Sequence, residues 1–273
     1  MNTEFSLAYL TVPGTHPADQ VEIAAKCGYE GVSLRSISMR LPGEPDFRLS
    51  DREIFRSVKK ALDSTGVKFM DLELARIAVG VDVSSYEKDF QAAEKLGARW
   101  AITSVWSDHR EFVLEQLGKL CDMAAEHGIT LNLEFVPFSS VGTLEAAQEI
   151  IDVLGKPNLK LMVDFLHAHR ANVTPETLKK IPADRFGFVH LCDGPAWIPP
   201  MDHPDMKGVA REKRLYAGEG QIDIAGMWKA MPQVPYVSIE LPNLWRIRAD
   251  GKLGHAKRCL RTAKEYFWKH GLM

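Results

Sequence analysis

The chain has 273 residues, of which 45% are hydrophobic and 26% are charged, a composition typical of a folded globular protein. Its formal net charge of −2 argues against nucleic acid or an anionic membrane as a partner. No apolar run approaches the ~18 residues of a membrane span, and residues 1–12 lack the basic start and apolar stretch of a signal peptide. We therefore expect a cytoplasmic protein whose four scattered cysteines are reduced thiols: Cys27, Cys121, Cys192 and Cys259.

Strand-like and helix-like segments alternate along the whole chain. The pattern predicts eight strands, at about residues 5–12, 30–36, 67–75, 99–105, 129–136, 159–165, 186–192 and 236–241. It also predicts eight helices, at about residues 17–27, 51–65, 84–96, 109–127, 143–154, 174–181, 222–231 and 254–270. The mean repeat of about 31 residues matches a βα unit, which suits parallel strands.

Eight successive βα units predict an α/β protein with one closed (β/α)8 TIM barrel, in which residues 1–273 form a single domain around eight parallel strands. The alternative is an open doubly wound sheet. Such a sheet usually carries a glycine-rich phosphate turn after an early strand, and the chain has neither GxGxxG nor GxxxxGKS/T. The longest irregular stretch, residues 193–221, has the length of a functional lid or binding loop, and a plain surface loop is the alternative.

Four strand-like segments end in a side chain that can bind a metal: Glu134, Asp164, His190 and Glu240. Catalytic groups of a TIM barrel come from the C-terminal ends of several strands. Because these four residues fall at the ends of strands five to eight, neighbouring strands would bring them to one point. Each residue alone is more typical of a helix cap or a core histidine. Together they form a carboxylate and imidazole set suited to a divalent cation.

The surroundings of the four residues support a shared cation. All four lie in apolar sequence, where an unpaired charge is costly to bury, and three carboxylates at one mouth would repel one another. A cation resolves both problems, so we predict one bound divalent metal ion. An oxygen-rich set with one imidazole favours Mn²⁺, with Mg²⁺, Co²⁺ or Zn²⁺ as alternatives.

Five motifs make the chain resemble the sugar phosphate isomerase/epimerase superfamily, the xylose isomerase-like TIM barrels. They are Asn132-Leu133-Glu134, Val163-Asp164-Phe165-Leu166-His167, Val189-His190-Leu191-Cys192-Asp193, Gly218-Glu219-Gly220-Gln221-Ile222-Asp223 and Ser238-Ile239-Glu240. The resemblance covers nearly the whole chain and is specific for the superfamily rather than for one reaction. Members include ketose 3-epimerases, hydroxypyruvate isomerase, inosose dehydratase, 3-dehydroshikimate dehydratase and, more distantly, endonuclease IV.

The resemblance implies that Glu134, Asp164, His190 and Glu240 bind the metal, and that the two glutamates also move protons on opposite faces of the substrate. The implied protein is a metal-dependent isomerase or epimerase of a sugar or keto-polyol that works through a metal-stabilised enediolate. The resemblance further implies that His167, three residues after Asp164, contacts a substrate hydroxyl. Relatives often pair, so a homodimer is one assembly open to this chain.

Other side chains near the strand ends are candidates for contact with a small-molecule substrate: Asp193, Glu219, Arg35, Arg246 and Trp106. Asp193 has two alternatives, a cap of the turn after strand seven or an orienting partner for a ligand imidazole. Where many members carry a glutamate at the end of strand two, this chain has Ser33, and Glu73 near the end of strand three is a candidate to compensate.

Basic residues near the predicted barrel mouth bear on the charge of the substrate. Besides Arg35 and Arg246 they are Arg76, Lys207, Arg211 and Arg214. If several of them face the mouth they favour an anionic substrate, because a guanidinium can pair bidentately with a carboxylate. Each one alone is more typical of a surface charge.

Three other functions stay open at this point. The first is a metal-dependent dehydratase, a lyase acting on an inosose or a 3-dehydroshikimate-like ring. The second is an endonuclease IV-like nuclease, which would use about three metals and additional histidines after the earlier strands, where this chain has Ala75-Arg76 and Val105-Trp106. The third is a non-catalytic sugar-binding protein on a barrel scaffold, since a fold does not determine a function.

Overall fold

Eight parallel strands close into a barrel in the computed structural model of the chain, which describes residues 3–39 and 43–273. The strands are β1 (Phe5–Leu7), β2 (Gly31–Arg35), β3 (Lys68–Glu73), β4 (Trp100–Thr103), β5 (Thr130–Glu134), β6 (Leu159–Asp164), β7 (Phe186–Leu191) and β8 (Val237–Ile239). Each strand pairs with its neighbour in chain order, and β8 returns to pair with β1. The predicted (β/α)8 TIM barrel is confirmed.

The helices follow the strands around the outside of the barrel. They are α1 (Pro17–Cys27), α2 (Arg52–Thr65), α3 (Glu87–Leu96), α4 (Arg110–Glu126), α5 (Leu144–Leu154), α6 (Phe165–Arg170), α7 (Pro175–Leu178), α8 (Pro204–Glu212), α9 (Ile224–Ala230) and α10 (Leu244–Lys269). Short 3-10 helices occupy Tyr9–Thr11, Val83–Tyr86 and Ala183–Arg185. None of the helices in the described ranges combines the length and apolar composition needed to cross a bilayer. The four cysteines are free thiols, as expected.

Several elements differ from the prediction. The first strand ends at Leu7 and is followed by a 3-10 helix, and α6 has no predicted counterpart. The fourth predicted strand divides into β4 and a short strand, Val105–Trp106, which pairs with Ile77–Ala78 in a separate two-stranded sheet. Helix α8 lies within the stretch that we expected to be irregular. The last helix begins at Leu244, ten residues earlier than predicted, and its axis is broken at Gly251, whose backbone has φ 68° and ψ 164°.

The barrel interior combines apolar and polar side chains beneath the strand ends. Phe188, two residues before His190 and therefore on the same face of β7, stacks on Tyr236 with ring centroids 4.5 Å apart. The Tyr236 hydroxyl donates to Asp71 Oδ2 at 2.8 Å, and the Ser33 hydroxyl donates to the same oxygen at 2.5 Å. Burial and the nearby Glu73 raise the pKa of Asp71 to about 7. This layer of side chains supports the residues at the strand ends above it.

The ring of His127 joins helix α3 to the end of helix α4 on the outside of the barrel. Its Nδ1 lies 2.8 Å from Glu94 Oε2, and its Nε2 lies 2.9 Å from Glu87 Oε1. Partial burial opposes protonation of the ring, but the two carboxylates outweigh this effect and raise the pKa of His127. The protonated ring therefore stabilises the contact between the two helices.

We expect this contact to weaken as the pH rises. Because the folded pKa of His127 exceeds its unfolded value of ~6.5, the stabilisation is complete below that pH and is lost as the pH rises through the folded value. His127→Gln should therefore lower the free energy of unfolding by about 1 kcal/mol at pH 6 and by less at pH 9. Urea unfolding at both pH values measures the difference, with the same change at the exposed His109 as control. An equal loss at both pH values would contradict a charged contact.

Candidate metal centre

Four side chains from neighbouring strands converge at the C-terminal mouth of the barrel. Glu134 and Asp164 end β5 and β6, His190 lies one residue before the end of β7, and Glu240 directly follows β8. One ligand atom from each residue lies within 4.8 Å of the others. His190 Nδ1 is 3.3 Å from Glu240 Oε2, 3.7 Å from Asp164 Oδ2 and 3.9 Å from Glu134 Oε1. The cluster groups the four residues that the sequence singled out as metal ligands.

A fully buried arginine holds two of these carboxylates in place. Arg214 Nη1 donates to Asp164 Oδ2 at 2.5 Å, and its Nη2 lies 2.9 Å from Glu240 Oε2. The same guanidinium donates to the backbone oxygens of Glu240 and Ala210 at 3.1 and 2.8 Å. The other oxygen of Asp164 accepts the backbone N–H of His167 at 3.0 Å and so caps helix α6. These contacts orient the ligands before any ion binds.

The carboxylates differ in their affinity for a proton. Burial and the nearby Glu240 raise the pKa of Glu134 to about 8. Burial also disfavours the charged form of Glu240, but His190 and Arg214 outweigh it and lower the pKa of Glu240. Burial disfavours the charged ring of His190, yet Glu240 and Glu134 raise its pKa to about 10. Without a metal, Glu134 and His190 therefore hold protons that a bound divalent cation would displace.

The donor set fits a divalent cation. Neither ring nitrogen of His190 has a hydrogen-bond partner among the described residues, although the ring is 1% exposed. Buried polar atoms are nearly always paired, and a bound cation would take up one of these two nitrogens. Three carboxylates and one imidazole are the ligands that Mn²⁺, Mg²⁺ and similar ions bind. Glu134, Asp164, His190 and Glu240 would hold such an ion.

A cavity of about 560 Å³, measured with its open mouth, lies above the cluster. Its lining includes the ligands Glu134, His190 and Glu240 together with residues from other strand ends and loops: Arg35, Glu73, Ser104, Trp106, Phe138, His167, Arg211 and Arg214. The metal cluster therefore forms one wall of a pocket rather than a closed structural site.

Three of the six residues predicted to contact substrate line this cavity. Trp106 donates its indole N–H to Ser104 at 2.9 Å, which fixes the ring at the cavity wall. His167 is 4% exposed, its Nδ1 has no hydrogen-bond partner among the described residues, and burial lowers its pKa to about 4. Arg35 lies on the opposite wall. A neutral imidazole with a free nitrogen suits contact with a substrate hydroxyl.

The other three residues are not part of the cavity lining. The carboxylate of Asp193 accepts the backbone N–H groups of four residues at 2.8–3.1 Å: Gly194, Gly218, Gly220 and Ile222. It therefore holds the loop around Gly218–Ile222 in place, which corresponds to the capping alternative. Glu219 and Arg246 pair with each other at 2.7 Å, and the guanidinium of Arg246 covers the ring of Tyr216 at 4.1 Å.

The sequence gives no role to two residues of the site. Arg214 is one of several cations in the long connection, and nothing in a linear pattern shows that it reaches two carboxylates on other strands. Phe138 follows β5 by four residues and carries no sequence signal, yet its ring packs edge-on against His167 with centroids 5.7 Å apart. Glu73, noted as a candidate, ends β3 and lines the cavity.

The fold and the cluster together define a (β/α)8 barrel with a metal-binding site at its C-terminal mouth, the class to which many metal-dependent enzymes belong. Residues 21–263 match the model of one family, the xylose isomerase-like TIM barrel. The chain belongs to this family, which confirms the resemblance drawn from its motifs.

Two sequence relatives and one solved structure give the family context. The chain is 24% identical to an inosose isomerase of Bacillus velezensis over 277 aligned residues, which cover 95% of this chain and 96% of that protein. It is 23% identical to a 3-dehydroshikimate dehydratase of Pseudomonas putida, over 81% of this chain and 34% of that protein. The crystal structure of the IOLI protein with a zinc atom matches with a TM-score of 0.81 at 20% identity, covering 99% and 100% of the two chains.

Removing one ligand should abolish tight metal binding. Asp164→Asn keeps the shape of the side chain but removes a charge, so we expect its affinity for Mn²⁺ to fall at least tenfold, with one ion bound per wild-type chain. Isothermal titration calorimetry measures both values. Asp202→Asn, an exposed position in the long connection, is the matched control. Unchanged affinity in Asp164→Asn would contradict the assignment.

Metal binding should also release protons. At pH 7 the raised pKa values of His190 and Glu134 mean that both side chains are protonated, and a bound cation displaces these protons. We expect release of about two protons per ion at pH 7 and an affinity that rises between pH 6 and pH 9. Calorimetric titrations in buffers of different ionisation enthalpy count the protons. A heat of binding that is independent of the buffer would contradict the proposed ligands.

Proposed function

We propose that the chain is a divalent-metal-dependent isomerase or epimerase that acts on a sugar or keto-polyol through an enediolate. The observation that carries this proposal is the position of two buried glutamates beside one imidazole at the cavity wall. Glu134 and Glu240 lie 3.9 and 3.3 Å from His190 Nδ1, both are buried, and both line the same cavity. A substrate carbon placed in that cavity would have two carboxyl groups near it.

The different contacts of the two glutamates support separate roles. Arg214 orients Glu240 at 2.9 Å, and we assign to its carboxylate the removal of the α C–H proton. Glu134 has no arginine partner among the described residues, and we assign to it the return of a proton to the substrate. When bound, a divalent cation would polarise the substrate carbonyl and lower the pKa of the α C–H. Proton return to the same carbon gives an epimer, and return to the neighbouring carbon gives an isomer.

The cavity wall supports a polyhydroxylated substrate. The neutral ring of His167 offers a free Nδ1 to a hydroxyl. On the facing wall Glu73, which accepts from Arg35 at 3.0 Å and from the backbone N–H of Tyr9 at 3.3 Å, lines the cavity. The indole of Trp106 supplies an apolar face on which a sugar or cyclic polyol can stack. Similarity to an inosose isomerase along nearly the whole chain favours a cyclic keto-polyol among these substrates.

We propose Mn²⁺ as the native ion because carboxylate oxygens predominate among the ligands. Mg²⁺, Co²⁺ and Zn²⁺ are alternatives, the last because the IOLI structure contains zinc. A soluble small-molecule substrate and free thiols are consistent with a cytoplasmic location, and a homodimer is the assembly we propose by analogy with the family. Equilibrium sedimentation tests the assembly.

A dehydratase is the second candidate function. Loss of a β-hydroxyl after removal of the α proton needs the same base and the same cation, and one relative is a 3-dehydroshikimate dehydratase. An endonuclease IV-like function receives less support. It would need about three metals, and the described residues contain one group of at least three clustered ligands, which is the set of four.

Glu240→Gln should lower turnover at least a thousandfold while the fold is retained, since the amide cannot accept the α proton. The assay is a panel of ketoses, inososes and 3-dehydroshikimate with Mn²⁺, in which a new enone absorbance identifies a lyase. Glu219→Gln, a glutamate outside the cavity, is the matched control. Full activity of Glu240→Gln would overturn the assignment of the base.

An enediolate route should incorporate deuterium from the solvent. In D₂O, product and recovered substrate should gain one deuterium at the carbon next to the carbonyl, because the proton on the glutamate exchanges with solvent. Mass spectrometry of the two compounds measures the gain. Turnover without any deuterium in either compound would indicate direct hydride transfer and would rule the route out.

A further inference from the structure

Two of the arginines expected to recognise an anionic substrate, Arg35 and Arg246, are already neutralised. Arg35 pairs with Glu73 at 3.0 Å and with Glu44 at 3.3 Å, so two carboxylates share one guanidinium. Arg246 pairs with Glu219 outside the cavity. Neither arginine offers an uncompensated positive charge to a ligand. An anion in this pocket would need a different partner.

Helix α8 carries two cations that have no ion pair within the described residues, Lys207 and Arg211. They are four residues apart and therefore lie on one face of the helix. Lys207 Nζ lies 6.0 Å from the centre of the Phe138 ring, and the Arg211 guanidinium lies 5.8 Å from the same centre. Phe138 and Arg211 both line the cavity above the metal cluster. The two cations therefore flank one aromatic side chain at the pocket mouth.

The helix that carries these cations is firmly held. Its opposite face buries Met206, Val209 and Ala210. The guanidinium of Arg170 donates to the backbone oxygens of Met206 and Asp205 at 2.5 and 3.1 Å. The side chains of Lys207 and Arg211 are exposed, but their backbone positions are thus set by a packed helix. Two like charges at this spacing repel each other, and an anion between them would relieve the repulsion.

We propose that Lys207 and Arg211 form a subsite for an anionic group on the end of the substrate that does not react. The inference rests on the proposed function, because it places the hydroxy-ketone end of the substrate at the metal cluster and a carboxylate or phosphate beside Phe138. The neutral residues His167 and Trp106 line the same cavity. The substrate is then a sugar or keto-polyol that carries a carboxylate or a phosphate on the end that does not react.

Matched ligands test the subsite by binding, independently of turnover. Isothermal titration calorimetry on the Mn²⁺-loaded protein compares D-allulose with D-allulose 6-phosphate, which differ only in the phosphate, and adds 3-dehydroshikimate as the carboxylate. We expect at least one anion to bind about tenfold or more tightly than D-allulose at low salt. This preference should shrink as the salt concentration rises. Preference for 3-dehydroshikimate or for the phosphate identifies which anion fits.

The double variant Lys207→Ala, Arg211→Ala should lose this preference while its affinity for D-allulose and Mn²⁺ stays unchanged. Single changes to Gln preserve side-chain length, and each should lose part of the preference. Two matched controls are Lys213→Ala, whose amine pairs with Asp205, and Arg246→Ala. Both should keep the full preference for the anion.

The outcomes separate this inference from the proposed function. Equal affinity for neutral and anionic ligands, a preference that survives in the double variant, or no binding of either anion would overturn the subsite. Deuterium exchange into a neutral ketose would still support the isomerase in each of those cases. Loss of exchange with every compound, together with a retained anion preference, would overturn the reaction and leave the subsite supported.

Discussion

The structure depends on the burial of three carboxylates around one imidazole at the barrel mouth. Such a concentration of negative charge away from water costs several kcal/mol per unpaired ion. Arg214 compensates part of it through Asp164 and Glu240, and protons on Glu134 and His190 compensate more. A bound divalent cation would compensate the negative charge in place of these protons and leave the side chains free to act on a substrate. The depth of the cluster, its proton affinity and its position in the cavity all follow from this constraint.

The connection between β7 and α9 links the pocket to the metal centre. It contributes the buried guanidinium of Arg214 to two metal ligands and presents α8 at the cavity mouth. The two ends of this connection are held together because four of its backbone N–H groups donate to the carboxylate of Asp193. The same segment therefore orients ligands and shapes the entrance. A change at Arg214 is expected to affect metal affinity, whereas a change on the exposed face of α8 is expected to affect substrate choice alone.

The sequence predicts the arrangement of strands in this protein better than the contacts between its side chains. Strand periodicity places Glu134, Asp164, His190 and Glu240 at neighbouring strand ends, because parallel strands in chain order leave few alternatives. It cannot show that Arg35 meets Glu73, since their alignment follows a register shift after Val32 in the β2–β3 ladder. The sequence pattern does not predict helix α8, because prolines precede it and Gly208 lies within it. Its buried residues nevertheless have helical spacing. Side-chain partners across strands depend on such local irregularities.

The most direct test of the metal centre is the anomalous diffraction of crystals grown with Mn²⁺. Our interpretation predicts one strong anomalous peak per chain at about 2 Å from a ligand atom of each of Glu134, Asp164, His190 and Glu240, a distance normal for such ions. A peak at another position, or well-ordered crystals with no peak between these four side chains, would contradict it.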